Sequence, residues 1–222
     1  MNGARGGLWY TQGMEQLETT LVEDEAYRLA ARLLAVQHAV AEITGGHKVD
    51  ADPEALRDAV YQIKQAVRKV EGAYVCFIGG LAVQHHGWQR WTDVIDVVVD
   101  AEHYREVLDE LRSRGFAITT NWNLVNRETG AKVDFLKEGI TMKSARFPLP
   151  HPSELGPNTG HAKLSWLVRL KLEAQRARDF ADIVEVLKRN LGQVDAVCAE
   201  LPEVMREKFT ELAQQARREM EP

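Results

Sequence analysis

Two short segments in the middle of the chain, residues 73–78 and 95–99, constrain the fold most. Both are rich in β-branched or aromatic residues and nearly continuous in apolar character, which is typical of strands that are buried on both faces. Gly79-Gly80 ends the first segment, and the residues directly after it can begin a helix. The middle of this chain is therefore predicted to form a small sheet.

Helical patterns lie on both sides of the strand-rich middle, where apolar residues recur at helical spacing. Asp52 followed by Pro53 is a typical helix start. The predicted helices span residues 14–43, 53–70, 101–114, 163–175 and 178–190, with a final pair interrupted at Pro202. The predicted strands span residues 73–78, 95–99, 116–120, 122–126 and 131–136. This order predicts an α+β fold, a small mixed sheet flanked by helices, with an N-terminal helical hairpin and C-terminal helices.

The positions of the glycines and prolines indicate where the domain boundaries are expected. Residues 1–13 are glycine-rich and lack a periodic apolar pattern, and residues 148–157 hold four prolines, which predicts a connector without regular structure. The predicted organisation is a flexible tail (1–13), an N-terminal helical region (14–72), a sheet core (73–150) and a C-terminal helical region packed on the core (151–222).

Composition excludes several classes of protein. The chain has 28 basic and 33 acidic residues, a net charge of -5, which disfavours a general nucleic-acid coat protein. No apolar run is long enough to span a bilayer, and the first residues do not form a secretory signal, so no membrane association is expected. The two cysteines have no zinc-site spacing, and we expect a reduced, cytoplasmic protein.

Two aspartates stand inside otherwise apolar predicted strands. Asp96 and Asp134 are costly to bury there, and they could lie on adjacent strands and face one cleft. Converging carboxylates are what Mg²⁺ requires, because it is a hard cation that shares its coordination with substrate phosphates. The alternative is structural: Asp96 ends a loop, and Asp134 pairs with an arginine.

Two further features could bind phosphate. Gly79-Gly80 would let a phosphate approach the backbone at a helix start, although most such pairs are only tight turns. Lys171 and Arg178 are seven residues apart and therefore share a helix face, from which both could contact triphosphate oxygens. The alternative for the second pair is a solvated face of an amphipathic helix.

These motifs together resemble the nucleotidyltransferase superfamily with the DNA polymerase β-like fold, and most of all the branch of abortive-infection (AbiE-type) toxin nucleotidyltransferases. That branch shows Gly-Gly, thirteen residues, then Asp-x-Asp, with Arg-x-Thr just before the acidic pair. In this chain Gly79-Gly80 precedes thirteen residues, which include Arg90 and Thr92. A third acid on a later strand matches Asp134. The resemblance covers about residues 73–190.

One position departs from the family pattern. Val94 stands where the family has the first metal-binding aspartate, and Asp96 keeps the second position. The adjacent Asp93 could substitute only if the strand begins late or bulges, because neighbours in a strand point to opposite faces.

The resemblance implies two alternative functions. The first is a metal-dependent nucleotidyltransferase that moves a nucleoside monophosphate from an NTP to a hydroxyl on RNA, protein or a small molecule. In that enzyme Asp96 and Asp134 would act catalytically and hold Mg²⁺ together with Asp93. The implied nucleotide-binding residues are Gly79, Gly80, Arg90, Thr92, Lys171 and Arg178.

The second implied function is a silent binding or regulatory module, in which Val94 has abolished the chemistry. Many family members belong to toxin–antitoxin pairs, so a protein partner, or a homodimer through the N-terminal helices, is also expected.

Overall fold

The computed structural model describes residues 52–119, 123–142 and 145–221. All of them belong to one compact unit, residues 50–222. The first predicted helix of the hairpin, residues 14–43, and the N-terminal tail lie outside the described residues. The predicted α+β class, a mixed sheet flanked by helices, is confirmed in the part that is described.

Helices and strands alternate through the first half of this unit and give way to helices in the second half. The helices are α1 (Pro53–Lys69), α2 (Gly79–His85), α3 (Tyr104–Ser113), α4 (Pro152–Leu155), α5 (Leu164–Ala174), α6 (Ala177–Arg189), α7 (Val194–Glu200) and α8 (Glu203–Arg218). The strands are β1 (Val75–Ile78), β2 (Val94–Val99), β3 (Phe116–Ile118), β4 (Asn123–Asn126), β5 (Lys132–Lys137) and β6 (Gly160–His161). A 3₁₀ turn, Leu191–Gln193, joins α6 to α7.

The described strands form a six-stranded mixed sheet in the order β3-β4-β5-β2-β1-β6. β2 is central: it pairs in parallel with β5 and antiparallel with β1. The register places Asp96 of β2 opposite Asp134 of β5 and opposite Ile78 of β1. Because side chains alternate between the two faces of a strand, the two aspartates project from the same face.

Different helices cover the two faces of the sheet. Tyr104 of α3 packs on the Phe135 ring at a centroid distance of 5.0 Å, and Lys64 of α1 lies over Phe77, so α1 and α3 cover the face opposite the aspartates. On the aspartate face, Cys76, Ile78, Val98 and Leu136 join one apolar core with residues of α2 and of α5 to α8. The C-terminal helices therefore cover the same face from which Asp96 and Asp134 project.

Helix α1 begins as its sequence predicts. The Asp52 side chain accepts a hydrogen bond of 3.0 Å from the Glu54 N–H, and Pro53 occupies the first turn. The apolar stripe of α1 is buried and packs against α3. Among the described residues, no helix combines the length and the apolar character needed to cross a membrane.

The expectation of an irregular connector at residues 148–157 is wrong in part. Pro152 starts the short helix α4, whose first turn is capped by the side chain of His151. Shortly afterwards, β6 adds a parallel edge strand to β1. Asn158 extends this edge, because its side chain accepts from the Val75 N–H and donates to the Ala73 carbonyl. A side chain that imitates strand pairing leaves no periodic signal in the sequence.

Candidate active site

The centre of the candidate site is the pair of carboxylates on β2 and β5. Asp96 and Asp134 are in-register partners on parallel strands, and each is the third residue of its strand. Both side chains are half-buried. In the described part of the chain, neither forms an ion pair with a lysine or an arginine. The alternative in which Asp134 pairs with an arginine is therefore not what the structure shows.

Both carboxyl groups are electrostatically strained in the charged form. Burial raises the pKa of Asp96 to about 6, and the charge of Asp134 adds to this shift, while the Gly80 N–H, Lys171 and Arg90 oppose it. Burial also raises the pKa of Asp134. The side-chain amide of Asn123 donates to Asp134 and partly compensates. A cation placed between the two carboxylates would relieve this strain.

The two glycines are explained by the groups packed against them. Gly79 has φ +60°, and a Cβ atom there would lie 1.9 Å from Oδ2 of Asp96. At Gly80 a Cβ atom would lie 2.4 Å from Oγ1 of Thr92. The Gly80 N–H donates to the Asp96 carboxylate. The pair therefore makes room for Asp96 and Thr92, and the predicted phosphate contacts of these glycines remain predictions.

Thr92 and Arg90 lie in the segment that leads into β2. Thr92 is buried, and its hydroxyl donates to the Val94 carbonyl at 2.9 Å. Arg90 Nη1 donates to the Trp91 carbonyl at 2.7 Å. Arg90 Nε lies 2.7 Å from Oδ1 of Asp182, and the two groups form an ion pair. The Nε–H bond does not point at that oxygen, so the contact is not a hydrogen bond. Both side chains are thus engaged within the protein, close to the carboxylate pair.

Lys171 is a buried cation held by two aspartates. Its side chain is only 6% exposed, and Nζ donates to Asp179 Oδ1 at 3.0 Å and to Asp182 Oδ2 at 2.5 Å. Asp179 also accepts from Arg176, through Nε at 2.5 Å and Nη2 at 3.3 Å. Although burial opposes it, the hydrogen bonds from Arg176 and Lys171 lower the pKa of Asp179.

We call the linked side chains Arg90, Asp182, Lys171, Asp179 and Arg176 the ionic chain. It joins the segment before β2 to helices α5 and α6. Asp179 links two cations in the ionic chain, since it accepts hydrogen bonds from both Lys171 and Arg176. The structure buries Lys171 between two carboxylates, and its contact with triphosphate remains a prediction.

Arg176 and Arg178 differ in their surroundings. Arg178, predicted to share a phosphate-binding face with Lys171, is exposed, and no contact ties it to the ionic chain. Arg176 is hydrogen-bonded to Asp179, which raises the pKa of its guanidinium, and the charges of Asp96 and Asp182 raise it further. Sequence reasoning did not assign a site role to Arg176 or to Asn123. The i, i+3 spacing of Arg176 and Asp179 is the signal that could have indicated the first.

Asp93 does not take the place of the metal-binding carboxylate that the family pattern has at position 94. β2 begins at Val94, so Asp93 lies in the bend just before the strand, exposed to solvent. Its charge contributes to the raised pKa of Asp134, so the two groups are near each other. Within the described ranges, however, no three His, Cys, Asp or Glu side chains are grouped so that they could hold a metal ion. The structure therefore does not assemble Asp93, Asp96 and Asp134 into one three-carboxylate cluster.

Fold and site together define an α+β protein with two neighbouring carboxylates on the two central strands of a helix-covered sheet. No protein-family model matches the sequence, and no curated protein matches it significantly.

Two solved structures of one protein are similar to this chain over part of its length. The solution structure of the antibiotic-resistance factor ANT(2'')-Ia is 11% identical with a TM-score of 0.46, over 74% of this chain and 97% of that one. The crystal structure of ANT(2'')-Ia in complex with adenylyl-2''-tobramycin is 12% identical with a TM-score of 0.44, over 74% and 98%. A likeness at this level does not establish a shared family.

Replacing Gly79 tests the packing of Asp96 against the backbone. Gly79→Ala adds a Cβ that clashes with the carboxylate, whereas Gly130→Ala adds one at a similar positive φ of +73° with nothing within 4 Å. Both variants carry the backbone strain of a left-handed alanine. We expect Gly79→Ala to lose about 1–3 kcal/mol more free energy of unfolding than Gly130→Ala, measured by urea denaturation. Equal losses would show that Asp96 does not require the glycine.

Replacing Lys171 tests whether it is a structural cation. Lys171→Met leaves two carboxylates buried without their shared partner, and we expect a loss of about 3–5 kcal/mol in the free energy of unfolding. Lys208→Met is the matched control, because that lysine is 48% exposed in its pair with Glu211, and such pairs contribute about 0–1 kcal/mol. An unchanged stability of Lys171→Met would mean that Lys171 is not held as described.

The raised pKa of Asp96 predicts a pH dependence of stability. The pKa is about 6 in the folded protein and about 4 in an unfolded chain, so the folded state binds the proton more tightly. The free energy of unfolding therefore falls as the pH rises from about 4 to 6, and the penalty is constant above that range. In chelator, Asp96→Asn should be more stable than the parent by about 1–3 kcal/mol at pH 7.5, and the difference should vanish near pH 4.

Asp109→Asn is the control for this pH series, since Asp109 is 68% exposed in a surface pair with Arg112. It should show no comparable difference between pH 7.5 and pH 4. A stability gap for Asp96→Asn that is equally large at both pH values would contradict a titration of Asp96 in this range.

Proposed function

We propose that this chain binds an NTP with Mg²⁺ at Asp96 and Asp134 and transfers the nucleoside monophosphate to a hydroxyl acceptor. The observation that carries the proposal is the in-register pair of like charges on parallel strands, both with raised pKa values and, among the described residues, without an ion pair to a lysine or an arginine. The motif resemblance of residues 73–190 to nucleotidyltransferases supports the same conclusion. The acceptor class is RNA, protein or a small molecule.

The donor set of the site fits a magnesium ion that arrives with its nucleotide. Mg²⁺ is usually held by one or two carboxylates together with waters and substrate phosphates. Asp96 and Asp134 supply two carboxylates on one face, half-open to solvent. A metal ion bound there would polarise the phosphate and neutralise the charge that develops on the leaving pyrophosphate.

The residues of the chain would position the reactants. The acceptor oxygen bonds to the α-phosphorus, the bond to pyrophosphate breaks, and pyrophosphate leaves. One of the two carboxylates accepts a hydrogen bond from the acceptor hydroxyl, orients it and takes up its proton as the new oxygen–phosphorus bond forms. The Gly80 N–H and Arg90 act on Asp96 and fix its position and charge. Binding and orientation of this kind account for most of the catalysis in phosphoryl transfer.

Val94 favours a second candidate function, a silent nucleotide-binding or regulatory module. Val94 stands on the same face as Asp96, in register with Lys132, and the described residues form no three-carboxylate cluster. A site with one ligand fewer would hold metal more weakly and could retain binding without turnover. A toxin–antitoxin role, and a protein partner or dimer through the N-terminal helices, belong to this candidate and remain predictions.

The experiment is incorporation of α-labelled NTP in the presence of Mg²⁺ or Mn²⁺, with total RNA, the protein itself and a small alcohol such as tobramycin as acceptors. We expect transfer by the parent chain that falls at least about 100-fold in Asp96→Ala and Asp134→Asn. Val94→Asp should raise the rate, because it restores a third oxygen ligand on the same face. Asp93→Ala should have a much smaller effect, since Asp93 is outside the strand.

The two candidates give different results in this assay. Transfer by the parent that is lost in Asp96→Ala excludes the silent module. Nucleotide binding without transfer in the parent, with transfer only in Val94→Asp, excludes the enzyme for this chain. Absence of NTP binding in the parent would overturn both.

A further inference from the structure

The three cations of the ionic chain differ in their exposure to solvent. Lys171, in the middle, is 6% exposed and already donates to two carboxylates. Arg90, at one end, is 26% exposed and is engaged with Asp182 and with the Trp91 carbonyl. Arg176, at the other end, has a side chain that is 58% exposed. Of the three cations in the ionic chain, Arg176 is therefore the most accessible to a ligand in solution.

The geometry of Arg176 suits the recognition of an anion. Its Nε and Nη2 atoms donate to Asp179, which fixes the plane of the guanidinium. A guanidinium has five N–H donors, so three remain available after these two bonds. A planar group that is already held in place loses less conformational entropy when it binds a phosphate.

The charge of the ionic chain also favours an anion. Three cations, Arg90, Lys171 and Arg176, share two aspartates, so one positive charge is in excess. Arg176 has the most exposed side chain of the three cations, so the excess is most accessible to a ligand at its guanidinium. The charge of Asp96 is among those that raise the pKa of Arg176, so this excess lies within electrostatic reach of that carboxylate.

We propose that Arg176 binds the polyphosphate of the nucleotide at the Asp96–Asp134 site, and that Asp179 positions it for this role. This inference rests on the proposed function. It assigns to Arg176 the contact that sequence reasoning assigned to Lys171 and Arg178. Lys171 then acts indirectly. It donates hydrogen bonds to Asp179 and Asp182, and Asp179 accepts hydrogen bonds from the Arg176 guanidinium.

The experiment compares the affinities for ATP and AMP, each with Mg²⁺, by calorimetry on the full chain. Arg176 contacts the phosphates beyond the first, so Arg176→Ala should weaken ATP binding about 10- to 100-fold and change AMP binding much less. Arg176→Lys should restore part of the ATP affinity, because it keeps the charge but not the fork. A purely structural role for Arg176 would weaken both ligands equally and would not be rescued by lysine.

Arg112→Ala is the matched control. Arg112 is 51% exposed and forms an i, i+3 pair with Asp109, as Arg176 does with Asp179, but it lies on α3 across the sheet. It should leave the ratio of ATP to AMP affinity unchanged. Thermal unfolding of each variant checks that the fold is retained.

Each outcome bears on a different statement. A parent chain that binds neither ATP nor, in a parallel titration, GTP, CTP or UTP overturns the proposed function itself. A parent chain that binds ATP, with an unchanged ratio in Arg176→Ala, overturns the role of Arg176 alone. If Arg178→Ala, rather than Arg176→Ala, lowered the ratio of ATP to AMP affinity, the contact would belong to Arg178 and this inference would also be overturned.

Discussion

The placement of two carboxylates side by side on parallel strands is the constraint on which the rest of the site depends. Burial raises the pKa of both Asp96 and Asp134, and the charge of Asp134 raises the pKa of Asp96 further. The surrounding structure makes this tolerable: Gly79 removes a side chain that would collide with Asp96, and the Gly80 N–H donates to it. Arrangements that destabilise a folded chain in this way are found mainly at functional sites.

The ionic chain extends this arrangement into the C-terminal helices. A lysine as buried as Lys171 is stable only when its donors are satisfied, and Asp179 and Asp182 supply the oxygens. Asp182 also contacts Arg90, which stands before β2. One network thus fixes the relative position of α5, α6 and the strand that carries Asp96. Removing Lys171 from the middle unbalances buried charges, and removing Arg176 from the exposed end takes two hydrogen bonds from the buried Asp179.

Sequence reasoning located the elements better than the contacts between them. The pairing of Asp96 with Asp134 was accessible, because a lone carboxylate in an apolar strand has few neutral explanations. The edge strand β6 was not, since two residues carry no periodicity and their pairing is completed by Asn158. The position of Lys171 was also not accessible: helical spacing places a residue on a face of its own helix but does not say which helix covers that face.

Val94 shapes how the proposed site would bind metal. Two carboxylates on β2 and β5 give a weak site for a free cation, because a six-coordinate ion would keep most of its waters. Nucleotide phosphates add oxygen ligands to the metal, so the metal and the nucleotide would each bind more tightly in the presence of the other. Such coupling is reciprocal: the factor by which the nucleotide tightens metal binding equals the factor by which the metal tightens nucleotide binding. The carboxylates remain repelled without the metal, and the excess positive charge at Arg176 remains unmatched without the phosphates.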